Sequence, residues 1–230
     1  PTIDSLTIIE NPRLPGTLPG TLSFVGLTDT GSDDNPDITS DSTFGLSLTG
    51  NEAGTTVAYE VSSNGGSSWT TTGASQSGLA DGSYQFRAVV TDAAGNAANT
   101  APILVTIDTA APTFVQSNPA DDATGILIGT NITLTFSEVV HAGTGNIVVT
   151  DDNGISQSFA IGGPNVTVSG STATLDLPSD LAALTVYGVS VTAGALLDAA
   201  GNGFAGLGGA TAIDFATQSL VPVAPTPGNG

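Results

Sequence analysis

The stretch "YQFRAVVTDAAGN", Tyr84 to Asn96, decides the fold class. Tyr84, Phe86, Ala88 and Val90 alternate with Gln85, Arg87 and Val89. This period of two belongs to a strand with one face buried. The run then meets Asp92-Ala93-Ala94-Gly95-Asn96. Gly permits a sharp bend, and Asp and Asn bond their own backbone, so the five residues read as a turn. The same five return as Asp198 to Asn202, again after an apolar run that begins at Tyr187. A strand that ends twice in one acidic turn points to a repeated architecture.

The same period recurs on both sides. Phe44, Leu46 and Leu48 alternate, as do Val57, Tyr59 and Val61, and Ile103, Val105 and Ile107 follow. After "IDTAAP" the pattern resumes at Ile132, Leu134 and Phe136, then Ile147 and Val149, Val166 and Val168, Ala173, Leu175 and Leu177. Tyr187, Val189 and Val191, with Ile213 and Phe215, complete it. Turn sequences such as "SNGGSS", "DDNG" and "GGPN" separate the strands. Only "SDLAAL", 179–184, suggests a helical turn. Each half holds about six or seven strands, which predicts an all-β chain of two tandem immunoglobulin-like β-sandwiches. The expected bounds are a strand-like or linker segment at 1–28, domains at 29–108 and 109–217, and a Pro/Gly-rich linker at 218–230.

Composition narrows the function. The 230 residues carry 21 acids against two bases, Arg13 and Arg87, for a net charge of −19. A nucleic-acid backbone or an anionic membrane surface would be repelled. No apolar run approaches the roughly 18 residues that cross a bilayer, so no membrane insertion is expected. There is no cysteine and no lysine, which excludes disulfides and Lys–Asn isopeptide bonds. Divalent cations are the natural counter-charge. The Pro-rich ends suggest a piece of something longer or a processed form.

Two segments carry a resemblance. "ITSDSTFGLSLTGNEAGTTVAYEVSSNGGSSWT", with "LADGSYQFRAVVTDAAGN" and "VTIDTAAP", resembles the bacterial Ig-like repeats of large type I-secreted (RTX/Bap-like) surface adhesins. "APTFVQSNPADDATGILIGTNITLTFSEVV", with "YGVSVTAGALLDAAGN", is similar to the SbsA-type Ig-like domain of S-layer and cell-surface proteins. The resemblance implies an extracellular, bacterial-surface extender whose partners are neighbouring Ig-like domains of the same or identical chains. It also implies calcium at domain boundaries.

The residues give a separate argument for a cation. In a sandwich, the segment entering strand A, the loop after strand B and the loop between F and G lie at one pole. In the second domain these places hold Asp108, Glu138 and Asp198 to Asn202. In the first they hold Asp29, Glu52 and Asp92 to Asn96. Converging carboxylates repel one another unless a hard cation with six to eight oxygen ligands joins them. Calcium suits such a site, with Asp108, Glu138, Asp198 and Asn202 as one ligand set and Asp29, Glu52, Asp92 and Asn96 as the other. Turn chemistry alone also accounts for each DAAGN copy. Asp33, Asp34 and Asp37 form a further acidic cluster without EF-hand spacing.

Catalysis finds little support. His141 is the single histidine, read as an exposed loop residue, and no Gly-x-Ser-x-Gly elbow occurs. The expectation is therefore no enzyme but a spacer. Two alternatives stand beside it. One is a self-assembling S-layer or surface-fibre subunit, a homo-polymer, in which the strand-like runs of 1–28 pair with a neighbour's sheet edge. The other is a carbohydrate-binding module, although Trp69 is the only indole.

Overall fold

The computed structural model describes residues 18–31, 38–209 and 212–219. Those residues form twenty strands and no α-helix. The chain divides into two units. Unit 1 comprises Pro1–Thr28 and Asp41–Ile107, and unit 2 comprises Asp29–Ser40 and Asp108–Gly230.

In chain order the first strands are β1 (Thr21–Val25), β2 (Ile38–Thr39), β3 (Phe44–Thr49), β4 (Thr56–Ser62) and β5 (Thr70–Thr72). They are followed by β6 (Ser75–Gln76), β7 (Gly82–Thr91), β8 (Ala97–Asn99) and β9 (Ile103–Ile107). Unit 1 has one sheet in the order β1-β3-β6 and a second running β9-β7-β4-β5, with β8 on β7. The alternation along β7 works as the sequence predicts: Phe86, Ala88 and Val90 are fully buried. Leu22, Phe44, Leu46, Val105 and Ile107 complete the core. Phe24, Phe44 and Phe86 meet edge to face, with centroids 5.1 to 6.1 Å apart. Such aromatic pairs add attraction beyond their buried area.

Segment 1–28 differs from expectation. Thr21–Val25 pairs antiparallel with β3, from Thr21 opposite Thr49 to Val25 opposite Gly45. Leu22 is buried in the core of unit 1, so this strand lies inside the first domain rather than before it. The strand itself is expected from the sequence; its pairing within the first domain is not, because its partner β3 lies well down the chain. The run at 4–10 lies outside the described residues.

Unit 2 holds β10 (Phe114–Asn118), β11 (Ala123–Ile126), β12 (Ile132–Phe136), β13 (His141–Ala142), β14 (Asn146–Asp151) and β15 (Ser156–Ala160). Then come β16 (Val166–Ser169), β17 (Thr172–Leu175), β18 (Val186–Val191), β19 (Leu196–Leu197) and β20 (Ile213–Thr217). One sheet is ordered β10-β12-β17-β16 and the other β11-β20-β18-β14-β15. Their inner faces supply Ile132, Leu134, Phe136, Ala173 and Leu175 on one side and Ile147, Val149, Val189, Val191 and Phe215 on the other. Asn153 and Gly154 turn β14 into β15, with Gly154 at φ 79° and the Asp151 carboxylate accepting the Asn153 and Ile155 amides. The helical turn suggested at 179–184 is absent; Leu181 joins the core and Leu184 takes φ 56° in a turn. His141 is not in an exposed loop. It is half-buried in β13, opposite Leu197 of β19, and so helps hold the strand that leads into Asp198.

Candidate metal centre

Both DAAGN copies fold into one self-closing turn. In the first, the Asp92 amide donates to Asn96 O at 3.0 Å, and Asp92 Oδ1 accepts the Asn96 amide at 2.8 Å. Asp92 Oδ2 accepts Asn96 Nδ2, also at 2.8 Å. In the second, the Asp198 amide donates to Asn202 O at 3.1 Å. Asp198 Oδ1 and Oδ2 accept the backbone amide and Nδ2 of Asn202, each at 2.8 Å. The glycines sit at φ 89° and 84°, a region that an L side chain rarely enters. The five letters therefore encode a loop in which Asn clamps the Asp carboxylate.

The surroundings separate the copies. Asp198 is fully buried, whereas Ala93 to Asn96 are exposed. Around Asp198 the second copy gathers two more acids. Asp108, Glu138 and Asp198 each present a carboxylate oxygen, and these oxygens lie within 4.8 Å of one another. It is the one such group of three among the described residues.

Separate elements deliver each acid. Asp108 follows β9; its amide donates to Thr39 O at 3.0 Å and its Oδ1 accepts the Ala110 amide. Glu138 follows β12, where Ser137 and Thr113 exchange two bonds: Ser137 N–H to Thr113 O at 2.9 Å, and Thr113 N–H to Ser137 Oγ at 3.0 Å. Asp198 follows β19. Asn202 Nδ2 also reaches Asp108 O at 2.8 Å, so it ties the turn to the linker. Asn202 thus brings a donor to the cluster and orients Asp198 and Asp108, rather than offering them an oxygen. Asn96 uses its donor in the same way on Asp92.

Electrostatics follow from the geometry. Burial first, then the Asp198 and Asp108 carboxylates, holds the Glu138 carboxyl above its ordinary range. Asp92 goes the other way: the Asn96 side chain, then the Asn96 amide, stabilise its charged form and lower it. The protein offers the cluster little positive charge. Arg87 belongs to unit 1, where it pairs with Glu60 at 2.7 Å and lies 4.2 Å over the Trp69 ring. Arg13 lies outside the described residues. Each Asp198 oxygen accepts one bond and keeps a further lone pair. Three oxygen donors, one buried and, among the described residues, none paired with an arginine, fit a hard divalent cation better than zinc, which favours nitrogen and sulfur.

The residues expected to make a site in the first domain are not gathered in this way. Asp29 is exposed, belongs to unit 2 and bonds the Gly31 amide at 3.0 Å. Glu52 and Asp92 belong to unit 1. Glu52 is exposed and its carbonyl accepts Thr55 Oγ1. Asp33, Asp34 and Asp37 lie outside the described residues. Sequence reasoning missed Thr30 and Thr39, whose contacts with the second turn and with Asp108 have no local signature.

Comparisons with known proteins agree with this architecture. Residues 17–109 and residues 108–217 match two family models, each described as a bacterial Ig-like domain. No curated protein matches the chain. Among solved structures, fibronectin(III)-like modules of Clostridium thermocellum CbhA are 13% identical, with TM-score 0.28, over 86% of this chain and 94% of that one. A tetra-tandem repeat from the extending region of a large adhesion protein is 19% identical, with TM-score 0.30, over 84% of this chain and 46% of that one. The BSP domain of a biofilm associated protein is 16% identical, with TM-score 0.23, over 81% and 29%. This chain thus spans less than half of the last two structures. The two family matches adjoin and together cover residues 17–217, so the chain belongs to the bacterial Ig-like domains and is a tandem of two of them.

Proposed function

We propose that the chain is a spacer segment of an extracellular bacterial surface protein, and that Asp108, Glu138 and Asp198 hold one calcium ion at the start of the second domain. The convergence of three carboxylate oxygens within 4.8 Å carries this reading. Ig-like domains typically serve as structural modules, and the two family matches support that reading here. The bound ion supplies positive charge only. The chain's own residues do the positioning: Asn202 fixes the Asp198 carboxylate and the Asp108 carbonyl, and the Thr113–Ser137 pair fixes the approach of Glu138. Asp108 is the first residue after the last strand of the first domain, so tying it to Glu138 and Asp198 stiffens the linker at its root.

Among the described residues no helix is long and apolar enough to cross a membrane. The fibre alternative loses one of its two free strands, because Thr21–Val25 already pairs within unit 1. The carbohydrate alternative loses part of its platform, because Arg87 covers the Trp69 ring. The test is thermal unfolding in chelator, in magnesium and in millimolar calcium. Calcium should raise the midpoint of the second domain more than magnesium does; equal midpoints in all three overturn the reading.

A further inference from the structure

The second DAAGN turn is covered by a segment from far upstream. Residues 29–40 lie between β1 and β3, which pair with each other in unit 1, yet they belong to unit 2.

Thr30 holds this segment down. Its hydroxyl donates to Ala200 O, inside the turn, at 2.5 Å. It accepts from the Ser40 amide at 2.8 Å and from Ser40 Oγ at 3.0 Å, and Thr39 Oγ1 lies 3.1 Å away. A hydroxyl has one proton and two lone pairs, so this one is saturated. Thr39 and Ala200 are fully buried, while Ala94, the counterpart of Ala200 in the first copy, is exposed. The fit is close on both sides. A Cβ on Gly31 would stand 2.7 Å from Ala199 O, and one on Gly201 would overlap Thr30 O. Thr39 O accepts the Asp108 amide, so the segment holds the linker as well as the turn.

We infer that Thr30 is a positioning residue: it docks residues 29–31 and 38–40 on the Asp198–Asn202 turn and so holds that turn and Asp108 in place, independent of any cation. A direct bond explains protection of the Ser40 amide. Positioning requires more, namely that the Asn202 and Asp108 amides, which do not touch Thr30, lose protection when its hydroxyl is removed.

Hydrogen exchange of the whole chain in chelator tests this, so the result does not depend on calcium binding. In Thr30→Val the Asn202 and Asp108 amides should exchange about tenfold faster, as loss of a well-made hydrogen bond implies. Thr30→Ser, which keeps the hydroxyl, should restore them. Core amides of β12 and β18 should not change in either variant. Gly31→Ala disturbs the same fit from the other side and should give the Thr30→Val pattern, which keeps the test open if one variant folds poorly. Acceleration confined to Ser40, or uniform acceleration including β12 and β18, overturns the inference.

Discussion

Replacing Glu138 by Gln should stabilise the second domain without calcium and destabilise it with calcium. The substitution keeps the shape and removes one of three charges. The oxygens lie within 4.8 Å of one another. At that separation each like-charged pair costs about 0.9 kcal/mol with water-like screening and about 3.5 kcal/mol at an effective dielectric of 20. Glu138 is half-buried, so the lower figure governs; two neighbours make roughly 1–2 kcal/mol. In chelator at neutral pH the variant should therefore melt on the order of 5 °C higher. The pH dependence has a definite sign. Glu138 is raised in the folded state, so its contribution favours folding at low pH and is lost as pH rises through its raised value. The advantage of the variant in chelator should thus shrink on acidification. Calcium reverses the comparison: a hundredfold excess over the dissociation constant gives the parent roughly 2.7 kcal/mol, most of which the variant forgoes. The assay is a pair of melting curves, parent and Glu138→Gln, in chelator and in calcium. A difference of the same sign in both media would refute the reasoning.

Other outcomes follow from the same contacts. Asp92 is lowered in the folded state, so the first domain should lose stability as pH falls through the acidic carboxylate range, and Asp92→Ala should flatten that loss in an acid-unfolding series. Asn202→Ala removes bonds to both the Asp198 carboxylate and Asp108 O and should cost about 1–3 kcal/mol in urea unfolding. Asn96→Ala, in an exposed turn, should cost less than about 1 kcal/mol. Phe86→Ala empties the fully buried centre of the first core and should cost about 3–5 kcal/mol, with the loss confined to the first domain's unfolding transition.

The sandwich strands were legible because burial on one face writes a period of two into the residues, as at Phe86, Ala88 and Val90. The convergence of Asp108, Glu138 and Asp198 was legible because sandwich topology brings the strand A entrance, the loop after B and the F–G loop to one pole. The different fates of the two DAAGN copies were not. Identical pentapeptides make identical turns, and only the surrounding chain decides whether the Asp is buried among acids. That Asn turns its amide nitrogen to the Asp carboxylate was not legible, since an amide side chain can turn either its oxygen or its nitrogen to a neighbour. Thr30 was beyond reach because it bonds a carbonyl 170 residues away, and no local pattern records such a contact. Thr21–Val25 was legible as a strand, but its partner β3 was not, because no local pattern records which strand it joins.

Calcium binding to the whole chain, measured by equilibrium dialysis beside Asp198→Asn, tests the central claim most directly. Asp198→Asn keeps the size of the buried side chain and removes its charge. The account predicts one saturable ion lost in the variant, with affinity in the range of extracellular modules, about 10⁻⁴–10⁻³ M, and weaker binding of magnesium. A parent chain that takes up no calcium at about ten times the upper limit of that range, or an Asp198→Asn variant that binds as the parent does, would contradict it.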